Sequence, residues 1–131
     1  MSARIYPTLR YDDAPGAIEW LHTVVGFETH ARYDAPDGGV AHAELRLGDA
    51  MVMLGSWKDD WARSKRPREA GGVTQAAYIA VDDADALYAR ATAAGADVVR
   101  AIEDTDHGSR DFALRDPEGH LWHFGTYDPL R

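Results

Sequence analysis

The phrase Asp12-Asp13-Ala14 returns as Asp82-Asp83-Ala84, seventy residues further on. Around each copy the chain keeps one order: an alternating strand pattern, a helical pattern, a glycine, then more strands. Before the first copy, Arg4 to Tyr11 sets Ile5, Pro7 and Leu9 on one parity against Tyr6, Thr8 and Arg10 on the other, as a strand with one apolar face requires. Before the second, Gln75 to Val81 sets Ala77, Ile79 and Val81 against Ala76, Tyr78 and Ala80. The paired aspartates stand where a helix begins, so they read as N-caps rather than as an acid–base pair. Pro15 suits a first helical turn, and Ile18, Leu21, Val24 and Val25 recur at helical spacing as far as Gly26, a stop. Leu87, Tyr88 and Ala91 do the same as far as Gly95.

Three strands complete each half. Phe27 to Asp34, Val40 to Leu47 and Ala50 to Gly55 are joined by the turn signals Asp37-Gly38-Gly39 and Gly48-Asp49. Asp97 to Ile102, Arg110 to Arg115 and His120 to Tyr127 follow in the second half, the last two joined by Asp116-Pro117-Glu118-Gly119, a type I turn sequence. The repeat therefore predicts an α+β fold of two tandem βαβββ modules, about residues 3–56 and 73–128, in one domain over 1–131. Residues 57–72 form a charged linker loop without periodicity. It carries Trp57 and Trp61, which read either as a cap over a binding surface or as core or dimer contacts. Trp20 and Trp122 fall on core parity.

A chain of 131 residues buries roughly 70% of its unfolded surface, enough for a core that needs no staple. The absence of cysteine excludes disulfides, a thiol nucleophile and any Cys-based metal site. Met1-Ser2-Ala3-Arg4 leads into a strand rather than an apolar signal core, and no apolar run has membrane length, which predicts a cytoplasmic protein with no membrane partner. The net charge of −8 argues against nucleic acid as a partner and leans toward cationic ligands. Arg greatly outnumbers Lys, Ala is abundant and Asn is absent, which points to a GC-rich bacterial genome.

Strand parity also sorts candidate functional residues. If Ile5, Pro7 and Leu9 pack under the helix, then Tyr6, Thr8 and Arg10 take the opposite face. Likewise His42, Glu44 and Arg46 take that face, with His30 beside them, while Ala41, Ala43, Leu45 and Leu47 take the core. Tyr6, Met51, Met53, Tyr78 and His123 then line a mixed aromatic, thioether and imidazole surface, with Thr8, Arg10, His42 and Glu44 as polar anchors. Such a lining suits a planar or amphipathic small molecule. Asp106, His107 and Ser109 are the residue types of a hydrolytic triad, but neighbours along one loop do not form a relay, and they read as a polar turn. No Gly-rich phosphate loop is present.

Two βαβββ modules closing on Phe112-Ala113-Leu114-Arg115-Asp116-Pro117-Glu118-Gly119-His120-Leu121-Trp122-His123-Phe124 resemble the vicinal oxygen chelate superfamily, which includes glyoxalase I, extradiol dioxygenases, and fosfomycin and bleomycin resistance proteins. The resemblance implies curled mixed sheets around a cup. In glyoxalase-like members, it further implies metal ligands on the first and last strands of each module. Carried onto this chain by motif, those places are Tyr6, Met53, Ala76 and His123, and the seventy-residue offset relates Tyr6 to Ala76 and Met53 to His123 as well. Only His123 is an ordinary ligand for a divalent ion. The expectation is therefore no metal cofactor and no metal-dependent chemistry, with a rearranged divalent metal site on His42, Glu44 and His123 as the alternative.

The pattern is most similar to the bleomycin-resistance branch, which implies a homodimer that sequesters a cationic, aromatic antibiotic without covalent chemistry. It is also similar to the PhnB-like group, through His42-Ala43-Glu44-Leu45, Gly48-Asp49 and Met53-Leu54-Gly55-Ser56. The other readings are an enzyme of the superfamily, a lyase or dioxygenase using the rearranged site, and a structural or regulatory module.

Overall fold

Asp13 and Asp83 start the two main helices of the computed structural model, which describes residues 1–131. Each side chain accepts a backbone N–H three residues on, from Gly16 and Ala86 at 3.0 Å, satisfying a donor that the first turn leaves free. The first half runs β1 (Thr8–Tyr11), α1 (Ala14–Trp20), a π-helical turn (Leu21–Val25), β2 (Glu28–Asp34), β3 (Val40–Leu47) and β4 (Ala50–Ser56). The second runs α2 (Pro67–Ala70), β5 (Ala77–Ala80), α3 (Ala84–Ala93), β6 (Asp97–Asp104), β7 (Arg110–Arg115) and β8 (Leu121–Gly125). The compact units are Met1–Arg66 and Pro67–Arg131. No helix is long and apolar enough to cross a membrane.

Each unit holds one four-stranded mixed sheet, in the orders β1-β4-β3-β2 and β5-β8-β7-β6. In both, the first strand lies parallel to the last and the other pairs are antiparallel. The seventy-residue offset is therefore structural: Thr8 aligns with Met53, and their counterparts Tyr78 and His123 align with each other. The turns repeat too. Gly38 N–H donates to Ala35 O at 3.1 Å and Gly108 N–H to Thr105 O at 3.2 Å. Gly38 and Gly108 take φ of 88° and 83°, the left-handed region that glycine enters without steric cost.

Helical spacing and strand parity place the core. Ile18, Leu21, Val24 and Val25 are buried with Phe27, Ala43, Leu45, Val52 and Leu54. Gly26, at φ 98°, ends that helix as expected. In the second unit Phe112 stacks on Phe124 with centroids 5.0 Å apart, and Tyr88 meets Phe112 edge-on at 5.1 Å.

Three parity expectations need correction. Ile5 does not pack under the helix but is 93% exposed. Strand β1 begins only at Thr8, because Pro7 has no N–H to extend the ladder and only its carbonyl is engaged, by Met53 N–H at 2.9 Å. Ala41 is exposed while Val40 and Ala43 are buried. The register passes from Tyr33↔His42 to Asp34↔Val40, so Ala41 is the extra residue of a β-bulge and parity slips there. Trp20 is half-buried, at the junction where the helix widens into its π turn.

Asp116 explains why the second unit closes on Asp-Pro-Glu-Gly-His-Leu-Trp. Its carboxylate is 5% exposed. It accepts the backbone N–H groups of Glu118 and His120, each at 3.0 Å, and the indole N–H of the fully buried Trp122 at 3.1 Å. One charged group thus pins the turn and the largest core side chain. Asp116→Ala leaves that indole N–H without its partner in the core, and we expect a loss of about 1–3 kcal/mol in urea unfolding. Asp116→Asn, which keeps one carbonyl acceptor, should lose less.

Candidate functional site

Residues aligned across neighbouring strands share a sheet face, so the registers assign the surface opposite each helix. In the first unit Thr8, Met53 and Glu44 are aligned, as are Met51 and Arg46. Met51 and Met53 are partly exposed, while Val52 and Leu54 between them are buried at 2% and 3%. His42 Nε2 donates to Glu44 Oε2 at 2.9 Å, and His30 Nε2 stands 4.0 Å from Glu44 Oε1. The Tyr33 ring, 62% exposed, stacks on His42 with centroids 6.3 Å apart. Tyr6, His30, Arg46 and Met51, with the β3–β4 turn, line an open depression of about 220 Å³.

Arg10 sits on this face but its donors are committed to the loop after β4. It makes two hydrogen bonds to Asp60, at 2.9 and 3.0 Å, and a third to Lys58 O at 3.2 Å. Trp57 belongs to the same brace. Its N–H donates to Tyr11 O at 2.8 Å, its indole N–H donates to Ser64 O at 3.1 Å, and the Arg66 guanidinium lies 3.7 Å over its ring. Arg66 also holds Asp12 at 2.8 and 2.9 Å. Arg10 and Trp57 therefore fold the loop back on β1, whereas Trp61 is 89% exposed. The Arg10 guanidinium holds the Asp60 carboxyl below the usual carboxylate range, with the Ala62 N–H helping and partial burial opposing.

In the second unit Tyr78, His123 and Ala113 are aligned. Tyr78 Oη donates to Tyr127 O at 2.7 Å, so its ring is fixed over the sheet. Burial raises the phenol above its ordinary value, and the Asp111 charge adds to this while Ser109 opposes it. Ser109 is buried, donates to Asp111 and accepts Tyr127 N–H at 3.0 Å. The His107 ring packs edge-on against Tyr127 at 6.1 Å. Ser109 is thus a structural hydroxyl of the turn, as its sequence context predicts. A Cβ at Gly125 would displace the Asp111 carboxylate and the Tyr78 hydroxyl that form this network.

The places where the family resemblance puts metal ligands carry Tyr6 and Met53 in the first unit and Ala76 and His123 in the second. Ala76 offers no donor, a thioether is soft, and a phenol must lose its proton to bind. That donor set does not fit a divalent ion held by nitrogen and oxygen. No group of three or more His, Cys, Asp or Glu side chains is arranged to hold one.

Residues 5–124 match the model of the Glyoxalase/Bleomycin resistance protein/Dioxygenase superfamily. The chain belongs to that superfamily. An uncharacterized protein of Mycobacterium bovis is 37% identical over 130 residues, covering 95% of this chain and 82% of its own. Among solved structures, TioX from Micromonospora sp. ML1 is similar at 36% identity and a TM-score of 0.76, with 94% of each chain covered. A mutant of the fosfomycin resistance protein FosX from Listeria monocytogenes, complexed with Mn(II) and 1S,2S-dihydroxypropylphosphonic acid, shares the fold at 12% identity and a TM-score of 0.69, over 98% of this chain and 93% of its own. Proteins of this family commonly bind small molecules and often form dimers.

Strand parity placed Thr8, His42, Glu44, Met51, Met53, Tyr78 and His123 on one binding surface; the registers put the first five in the first sheet and Tyr78 with His123 in the second. It missed Tyr33, whose stacking on His42 depends on a β2–β3 register carrying a bulge at His30. It also missed the engagement of Arg10, whose partner lies fifty residues away. The loop brace predicts a pH response. Because the Asp60 carboxyl is depressed in the folded state, its contribution is present above the ordinary carboxylate value and is lost as pH falls through the lowered one. Proteolysis within residues 57–66 should therefore accelerate at acid pH. Asp60→Asn should raise the neutral-pH rate and flatten its dependence on pH.

Proposed function

We propose that this protein binds a small organic molecule on the open sheet faces and sequesters it, in the manner of the bleomycin resistance proteins, without covalent chemistry. What supports this reading is the pairing of a poor donor set with a good contact set. Where the metal-dependent relatives keep ligands, this chain carries Tyr6, Met53 and Ala76, with only His123 able to serve. Around those places stand Met51, Met53, Tyr6 and Tyr78, whose polarizable and aromatic surfaces suit planar molecules. Thr8, His42 and Glu44 add polar anchors. Arg10 and Trp57 support the surface through the loop, and Trp61, projecting from that loop, supplies an aromatic contact.

Sequestration needs affinity and concentration rather than a nucleophile. A soluble bacterial homodimer acting in the cytoplasm, against an antibiotic or a compound like one, is the setting this reading implies. Glu44 and the overall charge of −8 favour a cationic group somewhere on the ligand.

A metal-dependent enzyme is the second reading; His42 and Glu44, in contact at 2.9 Å on one strand, are two of the three donors that such a site needs. Metal analysis separates the two. The sequestration reading expects a purified protein without stoichiometric zinc, iron, nickel or manganese, and a ligand-induced melting shift that survives EDTA. Stoichiometric metal lost on His123→Ala would overturn it. In a screen of aromatic antibiotics and related compounds, binders should raise the melting temperature by several degrees at saturating concentration. Tyr6→Ala or Met51→Ala should weaken that shift.

A further inference from the structure

We infer that the depression beside the β3–β4 turn is an oxyanion subsite that takes the carboxylate of an aromatic ligand. The inference rests on the reading of this face as a small-molecule surface and adds the chemistry of one end of that molecule.

Arg46 carries the argument. Its Nε donates to Gly48 O at 2.9 Å, which fixes the plane of the guanidinium against the turn. Its two terminal nitrogens make no hydrogen bond or ion pair within the protein. Arg10, Arg32 and Arg66 of the same unit close on Asp60, Asp34 and Asp12, all at 2.8–2.9 Å, while Arg4 and Arg63 make no such pair; Arg46 differs from those two in lining the depression. In a chain with 22 acidic and 14 basic side chains, carboxylate partners are in excess, so an unpaired arginine facing a depression is a donor set held open. The planar fork of terminal N–H groups matches a carboxylate in a way that a point charge does not.

The remaining lining completes the site. His30 borders the same depression, and its ring nitrogen, 4.0 Å from Glu44, is beyond hydrogen-bond reach of that carboxylate and able to donate to a ligand. Tyr6, 41% exposed, and Met51 supply an aromatic face and a thioether, so a ring attached to the carboxylate meets apolar contact where its anion meets Arg46. Two carboxylates stand nearby. Glu44 accepts from His42 at 2.9 Å and lies 4.0 Å from His30, so each of its oxygens has an imidazole neighbour. Asp49, on the exposed turn, also borders the depression, and Asp49→Asn tests its contribution against that of Arg46.

The test uses naphthalene-2-carboxylate, its neutral carboxamide and 2-(aminomethyl)naphthalene, titrated calorimetrically into the full chain and into Arg46→Gln, Arg46→Lys and Asp49→Asn. The carboxylate should bind about tenfold tighter than the carboxamide, as a charge-assisted pair exceeds a neutral one. Arg46→Gln should abolish that preference while leaving weak carboxamide binding, Arg46→Lys should keep part of it, and Asp49→Asn should keep or enlarge it. Equal binding of carboxylate and carboxamide, tighter binding of the ammonium compound, or a preference that survives Arg46→Gln would overturn the subsite and leave the small-molecule surface standing. Failure of all three probes to bind would overturn both. Matching melting curves and circular dichroism for Arg46→Gln, Arg46→Lys and the unaltered chain confirm that a lost preference is not a lost turn.

Discussion

The parallel pairing of the first strand of each module with its last is the constraint on which the rest depends. Parallel neighbours cannot be joined by a tight turn, so everything between them, a helix and two strands, must pass out and back before β4 reaches β1 and β8 reaches β5. The helix packs on one face of the sheet it has left. The pleat then buries every second residue under that helix and leaves the others on the far face. Thr8 beside Met53, and Tyr78 beside His123, are where this closure occurs, so the same contact that completes each sheet also assembles the surface proposed to bind a ligand.

Buried polar groups hold the ends of this arrangement. In the second unit Asp116 ties the turn to Trp122, and Ser109, Asp111 and Tyr127 tie the chain after β8 back to β7 and β5. In the first unit the corresponding work is done at the surface, by Arg10 with Asp60 and Arg66 with Asp12 and Trp57. Paired charges at the surface are individually worth little, but each one here joins the loop after β4 to the first strand or to Asp12, the residue before the helix cap. They act where the loop has few apolar residues to bury, and leave Trp61 outside.

Donor chemistry separates this chain from the metal-dependent members of its superfamily more sharply than fold does. FosX shares the fold at 12% identity and a TM-score of 0.69, so a scaffold of this kind tolerates replacement of most of its residues. What varies is the side chain at a few places on the open faces. In the reading proposed above, methionine, tyrosine and alanine at three of four such places turn the surface from coordination toward contact, and Arg46 at its edge sets the charge of what it meets.

The repeat, the helix caps, the glycine stops and the strand parity were written in the sequence, because each depends on neighbours a few residues apart or on a period of two or 3.6. They sufficed for the α+β class, the two βαβββ modules and the membership of Met53, His42, Glu44 and His123 in outward-facing sets. Tertiary structure alone decided which of those side chains have donors to spare. Arg10 is spent on Asp60, the Tyr78 hydroxyl on Tyr127, and Trp57 on Ser64 and Arg66, while Arg46 is not spent. It also decided that Ala41 bulges and Ile5 runs free. A hydrogen-bond partner fifty residues distant, or one extra residue in a ladder, is set by how strands align, and alignment leaves no period in a single chain to be read.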